Sequence, residues 1–505
     1  MASMVVAVAS LEAHPTQDGR PNIVLFMVDD MGWQDTSVPF WTQRTPLNAT
    51  YETPNMERLA GQGMLFTQAY ASPISSPSRC SLLTGANAAR HRVTNWTFHK
   101  GQMTDDADEQ LSPPDWNYNG VCQSVGTPNT FVARSFVDIL HAAGYYTIHC
   151  GKAHWGAQDT PGGSPLHFGF DVNIAGHAAG GPATYLSERR FGHDAEGRPT
   201  AQFAIPGLQK YWDTGTFLTE ALTQEALAAL RQWKKDEDQP FFLYMSHYAV
   251  HVPIDRDMRF YEKYRQRGLS EKEAAYASLI EGMDKSLGDI LDWLDRNGMT
   301  EHTVVLFMSD NGGYATGAEW RDEPLYTQNA PLRSGKGSLL EGGIREPMIV
   351  RWPGVVKAAS RCDRYVLIED YFPSILEMAD VRRYSVPQKV DGQSFVPLLR
   401  GTGDPSRGRA LIWNYPHVWG NRGPGIDLNC AIREGDWKLI YSYKTGQKEL
   451  YDISHDIGEQ HDISASRPEL VRRLSRKLGK RLRAMKAQRP TLKTTGLPCP
   501  WPDEL

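Results

Sequence analysis

The chain has 505 residues, 40% hydrophobic, 10% aromatic and 22% charged, the balance of an ordinary soluble globular protein long enough for more than one domain. Its formal net charge of −5 argues against a general polyanion binder, and no apolar run approaches the roughly 18 residues that a membrane span requires. The six cysteines (Cys80, Cys122, Cys150, Cys362, Cys430, Cys499) show no CxxC spacing, which excludes a zinc ribbon or a dense disulfide framework and leaves room for one or two disulfides.

Along the chain, residues 1–20 carry a short apolar run without a basic flank and read as an N-terminal extension or cloning scar, the signal peptide being absent or removed. "PNIVLFMVDDMG" (21–32) is a continuous apolar strand that ends in acid, the pattern of a central strand covered on both faces. "ASPISSPSRCSLLTG" (71–85) crowds serines and a proline before an arginine and leads into a helix. "FVDILHAAGYYTIHCGKAHWG" reads as helix, glycine stop at Gly144 and strand. The same rhythm returns in "ALTQEALAALRQWKKDEDQPFFLYMSHYAVHVP" and "SLGDILDWLDRNGMTEHTVVLFMSDNGG". Alternating helices and apolar strands with polar residues just past each strand predict an α/β fold, a mostly parallel sheet sandwiched by helices, with its site at the carboxyl edge. Near residue 400 the polar "RGTGDPSRGRA" marks a connection. Beyond it, "CAIREGDWKLIYSY" and "KELYDIS" predict antiparallel strands and residues 468–488 a basic helix, hence a smaller C-terminal α+β domain. The expected division is 1–20 extension, 21–400 catalytic domain and 401–505 a subdomain completing a substrate cleft.

The strand ends together form a constellation. Asp29 and Asp30 follow one strand and Asp310 and Asn311 another, an all-oxygen set suited to a hard cation such as calcium. Lys152 and His154 follow a third strand, two residues apart. His247 and His251 follow a fourth, and Lys336 sits in a glycine-rich loop.

With these residues in view, "SSPSRCSLLTG" resembles the type I sulfatase signature, (C/S)-x-P-S-R-x-x-x-x-T-G, of the formylglycine-dependent sulfatases. "PNIVLFMVDDMG", "GKAHWG", "SDNGG" and "GKGSLLEGGIREPMIVRWPG" are similar to other blocks of that family, and "DGQSFVPLLRG" with "GDWKLIYSY…ELYDIS" extends the likeness into the second domain. The resemblance implies an alkaline-phosphatase-like fold and hydrolysis of sulfate esters. It aligns Ser75 with the residue converted to formylglycine, whose hydrate attacks sulfur to give a covalent sulfoenzyme. It places Arg79, Lys152, His154, His251 and Lys336 on the contacts to hydrate and sulfate, and Asp29, Asp30, Asp310 and Asn311 on one calcium per site. A native serine rather than cysteine at position 75 implies a bacterial chain matured by a radical enzyme, whereas a cysteine replaced by serine would read identically; a periplasmic or exported protein is expected. For roles, the family and the charges make His154 the base and His251, with Lys336, the acid for the leaving alcohol.

For the rest of the substrate, Arg90, His91, Trp96, His99, Asp171, His177, His417 and Trp419 form a candidate set that favours a sulfated saccharide, from a glycosaminoglycan or mucin, over a small aryl sulfate. The partners expected are that saccharide and the maturing enzyme, with no nucleic acid, no membrane span, and a monomer or weak oligomer. The rival readings are a two-zinc phosphatase or phosphodiesterase on the same fold, and a non-catalytic binder of sulfated glycans.

Overall fold

The structure, a computed structural model, describes residues 19–236, 239–315, 326–327, 329–420 and 423–505; of the expected N-terminal extension only Gly19 and Arg20 fall within it. The main sheet is built from β1 (Asn22–Val28), β2 (Met64–Tyr70), β3 (Tyr146–Gly151), β4 (Val172–Ile174), β5 (Phe241–Ser246), β6 (Thr303–Ser309), β7 (Arg345–Arg351) and β8 (Ser360–Cys362). Their spatial order is β8-β2-β7-β6-β1-β5-β3-β4, and Val366–Leu367 pairs with β2 as a ninth strand. β1 lies parallel to both β5 and β6, and β3 parallel to β5 and β4. β7 runs antiparallel to β6 and β2. The sheet is therefore mostly parallel, as the alternating pattern predicts.

β1 shows why its sequence is apolar throughout. Side chains of a strand alternate between faces, and Val24, Phe26 and Val28 pack into one core layer while Ile23, Leu25 and Met27 pack into another. The first layer is covered by α3 (Leu218–Trp233) and α4 (Glu271–Arg296). The second is covered by α1 (Ser75–Thr84), α2 (Phe136–Ala142) and α5 (Tyr371–Met378). Ser270 caps α4 by accepting from Glu273 N in a reciprocal capping box. α1 stops at Gly85, whose backbone is left-handed (φ 66°) and whose position leaves no room for a Cβ against Phe372.

The second sheet runs β9 (Ala410–Tyr415), β10 (Asn429–Glu434), β11 (Trp437–Ser442) and β12 (Lys448–Asp452), all antiparallel, with α6 (Pro468–Ala484) packed on it. β9 is not among the strands expected from sequence, because it directly follows the polar connection. The two sheets share a core in which Tyr70, Ile74 and Leu340 meet Trp413, Ile440 and Tyr451. Within that seam Lys438 lies fully buried, its Nζ 3.0 Å from Glu341 Oε1 and 2.9 Å from Glu459 Oε1. All six cysteines are free and buried, so none forms the disulfides for which the sequence left room.

Candidate active site

Parallel strands put their carboxyl ends on one edge, and the chemistry gathers there. Asp29 and Asp30 follow β1, Asp310 and Asn311 follow β6, Lys152 follows β3, and His251 lies five residues past the end of β5. Ser75 is the first residue of α1, aimed into the same pocket with the positive end of the helix behind it. Pro77 fits the first turn, where its missing N–H costs nothing.

Ser75 Oγ lies 3.2 Å from Asp29 Oδ1, 3.1 Å from Asn311 Oδ1 and 2.9 Å from Lys152 Nζ, the lysine donating to it. Lys152 Nζ also donates to Asp29 Oδ2 at 2.7 Å. Arg79 donates from Nε to Asp310 Oδ2 at 2.8 Å and from Nη1 to Ser246 Oγ at 2.6 Å and Lys152 O at 3.1 Å. Lys336 Nζ donates to Asp30 at 2.8 Å, and His251 Nε2 lies 3.7 Å from Asp30 Oδ2. Asp30 and His154 both hold left-handed backbone (φ 61° and 56°), a strain that non-glycine residues accept mainly where the surroundings over-determine them.

The pocket is buried, so its ionisation follows from desolvation set against neighbours. Burial, reinforced by Asp310 and Asp30 and opposed by Lys152, pushes the Asp29 carboxyl up to about 8. Burial alone would raise Asp30 too, but Lys336 and then His251 hold it below the usual carboxylate range. Burial also acts against Asp310, yet Arg79 and Lys152 keep it well below that range. Burial draws Lys152 down to about 8 in spite of Asp29, whereas Asp30 and Asp29 outweigh burial and hold Lys336 up. Burial, then Lys336, lowers His251 to about 3, and burial with Lys152 and Arg79 takes His154 well below its ordinary value.

The donor set fits a hard divalent ion. One oxygen from each of Asp29, Asp30 and Asp310 lies within 4.8 Å of the others, all three buried, and among the described residues this is the only such grouping of His, Cys, Asp and Glu. Asn311 Nδ2 donates to Asp30 Oδ1 at 2.7 Å, which turns its Oδ1 toward Ser75 and the carboxylates. Three carboxylates face three fixed cations, Arg79, Lys152 and Lys336, so a bound divalent ion would leave the pocket net positive and ready for an anion.

His154 Nε2 is 3.1 Å from Thr97 O, so that nitrogen carries the proton; Nδ1 is buried with no hydrogen-bond partner and keeps its lone pair. Two glycines that drew no notice in the sequence wall these rings. A Cβ on Gly180 would lie 2.6 Å from His154 Cε1, and one on Gly181 would lie 2.6 Å from His251 Nδ1. Ser246, which orients Arg79, was also not anticipated; the signal was a hydroxyl at the very end of an apolar strand.

The structure does not bring the whole candidate substrate set to this pocket. Trp419 does arrive, with Lys336 Nζ 5.4 Å from its ring centroid and Gly337 beside the ring. Trp96 is half-buried between two core clusters, and His99 rests on Phe98 at 4.3 Å. His177 lies beside the pocket wall, its carbonyl accepting from His154 N at 3.3 Å, and lines a surface cavity of about 410 Å³. Arg90, by contrast, is clasped by both Asp391 oxygens at 2.6 and 2.8 Å. His91 is fully buried, bonded to Ser81 Oγ and Val93 N. Asp171 binds Thr147 near the start of β3, the edge opposite the pocket. His417 is fully buried in the seam with its ring nitrogens on Thr94 and Asp105, and His247 binds Ser286 Oγ on α4 at 2.8 Å.

The family model described as Sulfatase matches residues 21–381, and one described as N-sulphoglucosamine sulphohydrolase, C-terminal, matches residues 335–488. A protein of Formosa agariphila named Sulfatase is 30% identical over 525 residues, covering 94% of this chain and 90% of that one. The N-acetylgalactosamine-6-sulfatase of Mus musculus is 32% identical, with 90% of this chain and 84% of the mouse protein aligned. Among solved structures, Ps i-CgsB in complex with k-i-k-neocarrahexaose superposes with a TM-score of 0.72 at 25% identity, covering 92% of this chain and 93% of that one.

Proposed function

The chain belongs to the sulfatase family of the alkaline phosphatase superfamily and hydrolyses sulfate esters, and from that premise we propose that its substrate is a sulfated saccharide from a glycosaminoglycan or related glycan, cleaved at a formylglycine formed from Ser75. The observation that carries this is the cradle around Ser75 Oγ, where Asp29 Oδ1 and Asn311 Oδ1 both stand ready to accept while Lys152 donates. A serine hydroxyl has one proton for two acceptors. The hydrate of formylglycine has two hydroxyls on one carbon, and supplies a nucleophile that can later release sulfate by C–O cleavage. Calcium held by Asp29, Asp30, Asp310 and Asn311 would lower the pKa of that nucleophile and polarise a sulfate oxygen.

The remaining roles belong to this chain's own side chains. Arg79 fixes Asp310, and Lys152 and Lys336 offset charge on the sulfuryl oxygens in a largely buried pocket. His154 Nδ1, unprotonated and unpartnered, is the base that takes the second hydroxyl proton. The proton for the leaving alcohol starts on Lys336, which is held charged, while His251 stays neutral in the free enzyme and relays it. Trp419 stacked over Lys336 offers a flat apolar face suited to a pyranose ring. The relatives' names favour a saccharide, and a bacterial setting with export and radical maturation of Ser75 accords with it. The two-zinc phosphatase reading has no support from the donor set, in which, among the described residues, no histidine joins the three carboxylates.

The test is a desulfation screen. Protein whose residue 75 is shown by mass spectrometry to be formylglycine is offered defined sulfated mono- and disaccharides. Release from one regio-isomer, with one calcium per chain, is expected, and Lys336→Ala and His251→Ala should lose nearly all turnover while folding normally. Two bound zinc ions, or no release from fully converted protein, would reject the proposal.

A further inference from the structure

Segment Val93–Phe98 runs past the pocket without joining any helix or strand, so side chains must fix what no backbone ladder does. Its Thr97 carries the carbonyl that takes the His154 Nε2 proton, and Thr97 N donates to Ser76 Oγ at 3.1 Å, next to Ser75. Three residues earlier, Thr94 Oγ1 lies 2.5 Å from Nε2 of His417, which follows β9 in the second sheet. His417 Nδ1 lies 2.5 Å from Asp105 Oδ1, and Asp105 Oδ2 accepts from Trp116 Nε1 at 2.8 Å. A carboxylate accepts, so His417 Nδ1 donates to Asp105, and in the neutral ring Nε2 is then left to accept from the Thr94 hydroxyl.

Threonine, histidine and aspartate stand here in the order of a nucleophile, its base and its orienting acid. Yet Thr94 is 2% exposed and His417 fully buried, and their hydrogen bonds tie the Val93–Phe98 segment to the second sheet. We propose that His417 is a positioning residue, and that the Asp105–His417–Thr94 chain sets the placement and tautomer of His154 through Thr97. The second sheet would thereby complete the catalytic pocket from behind it, by geometry. The inference rests on the sulfatase reading of that pocket.

Three substitutions separate positioning from mere packing. Thr94→Val keeps the shape and deletes the hydroxyl. His417→Gln places an amide where Nε2 was and keeps the Thr94 bond, whereas His417→Asn reaches only Asp105. With rates normalised to the converted fraction, Thr94→Val and His417→Asn should lower kcat about 10- to 100-fold with KM nearly unchanged, and His417→Gln should recover most of it. In unconverted protein, the ring ¹⁵N resonances of His154 should report a single Nε2–H tautomer in the wild type and a mixture in Thr94→Val. A Thr94→Val enzyme with wild-type kcat and an unmixed tautomer would overturn the proposal, as would equal losses in the Gln and Asn variants. Were converted wild-type protein to release no sulfate, the reading of the pocket would fall, and the tautomer comparison would still decide this inference.

Discussion

Buried histidines give the residue scale its sharpest consequence. Burial lowers His91, the neighbour of the Val93–Phe98 segment, to about 3, so it stays neutral in the fold at any ordinary pH. In the unfolded chain it titrates near 6.5. Below that pH the unfolded state binds a proton that the native state refuses, so the stability His91 contributes is present above 6.5 and drains away as pH falls toward 3. His91→Gln removes this one difference and leaves the other groups in place. The stability gap between wild type and variant should therefore narrow by up to about 1.4 kcal/mol per pH unit as pH drops below 6.5, as read from denaturant midpoints at a series of pH values. A gap that stays constant from pH 7.5 to 4.5 would show that His91 protonates freely in the fold.

Elements decide whether the pocket stays open. The turn through Gly180 and Gly181 passes so near both histidine rings that any side chain there must displace one of them. Neither glycine holds a positive φ, so Gly181→Ala strains no backbone and the cost falls on His251 alone. The expected outcome is a normal far-UV spectrum with turnover reduced about 100-fold, since an ångström of misplacement is enough for that. Wild-type turnover in this variant would mean that His251 can move aside without consequence. At this scale much was readable beforehand. β1, β3, β5 and β6 each show an apolar run closed by polar residues, because a central strand must be covered on both faces. β9 escaped, as did β2 and the antiparallel β7, whose identity depends on partners far along the chain.

Over the whole molecule, the two sheets are joined by charge as well as by apolar packing. Lys438 is held between Glu341 and Glu459 with no exposure, and burial pushes Glu459 up to about 7 even with that lysine present. Lys438→Met would leave two buried carboxylates facing each other with Arg345 beside Glu341. It should cost about 3–5 kcal/mol, seen as a lower midpoint in chemical denaturation. Because one core holds residues of both sheets, unfolding should remain a single transition by fluorescence and far-UV signal alike. A change within 1 kcal/mol, on the order of an exposed pair, would show that the seam relies on its apolar contacts.

The amino-acid sequence by itself determined the strands of the parallel core, the acidic and basic residues that close them, and the signature around Ser75, and with these the family. These are local properties, since period-two burial and the residue after a strand's last apolar position need no knowledge of the rest of the chain. Only the tertiary structure decided which of the nearby polar and aromatic groups face the pocket. Arg90 and His417 look like substrate ligands in one dimension, but partners 301 and 312 residues away, Asp391 and Asp105, claim their hydrogen-bonding atoms. A buried polar group must be satisfied by whatever the fold brings to it, and that neighbour is fixed by packing between distant segments, which no stretch of sequence carries on its own.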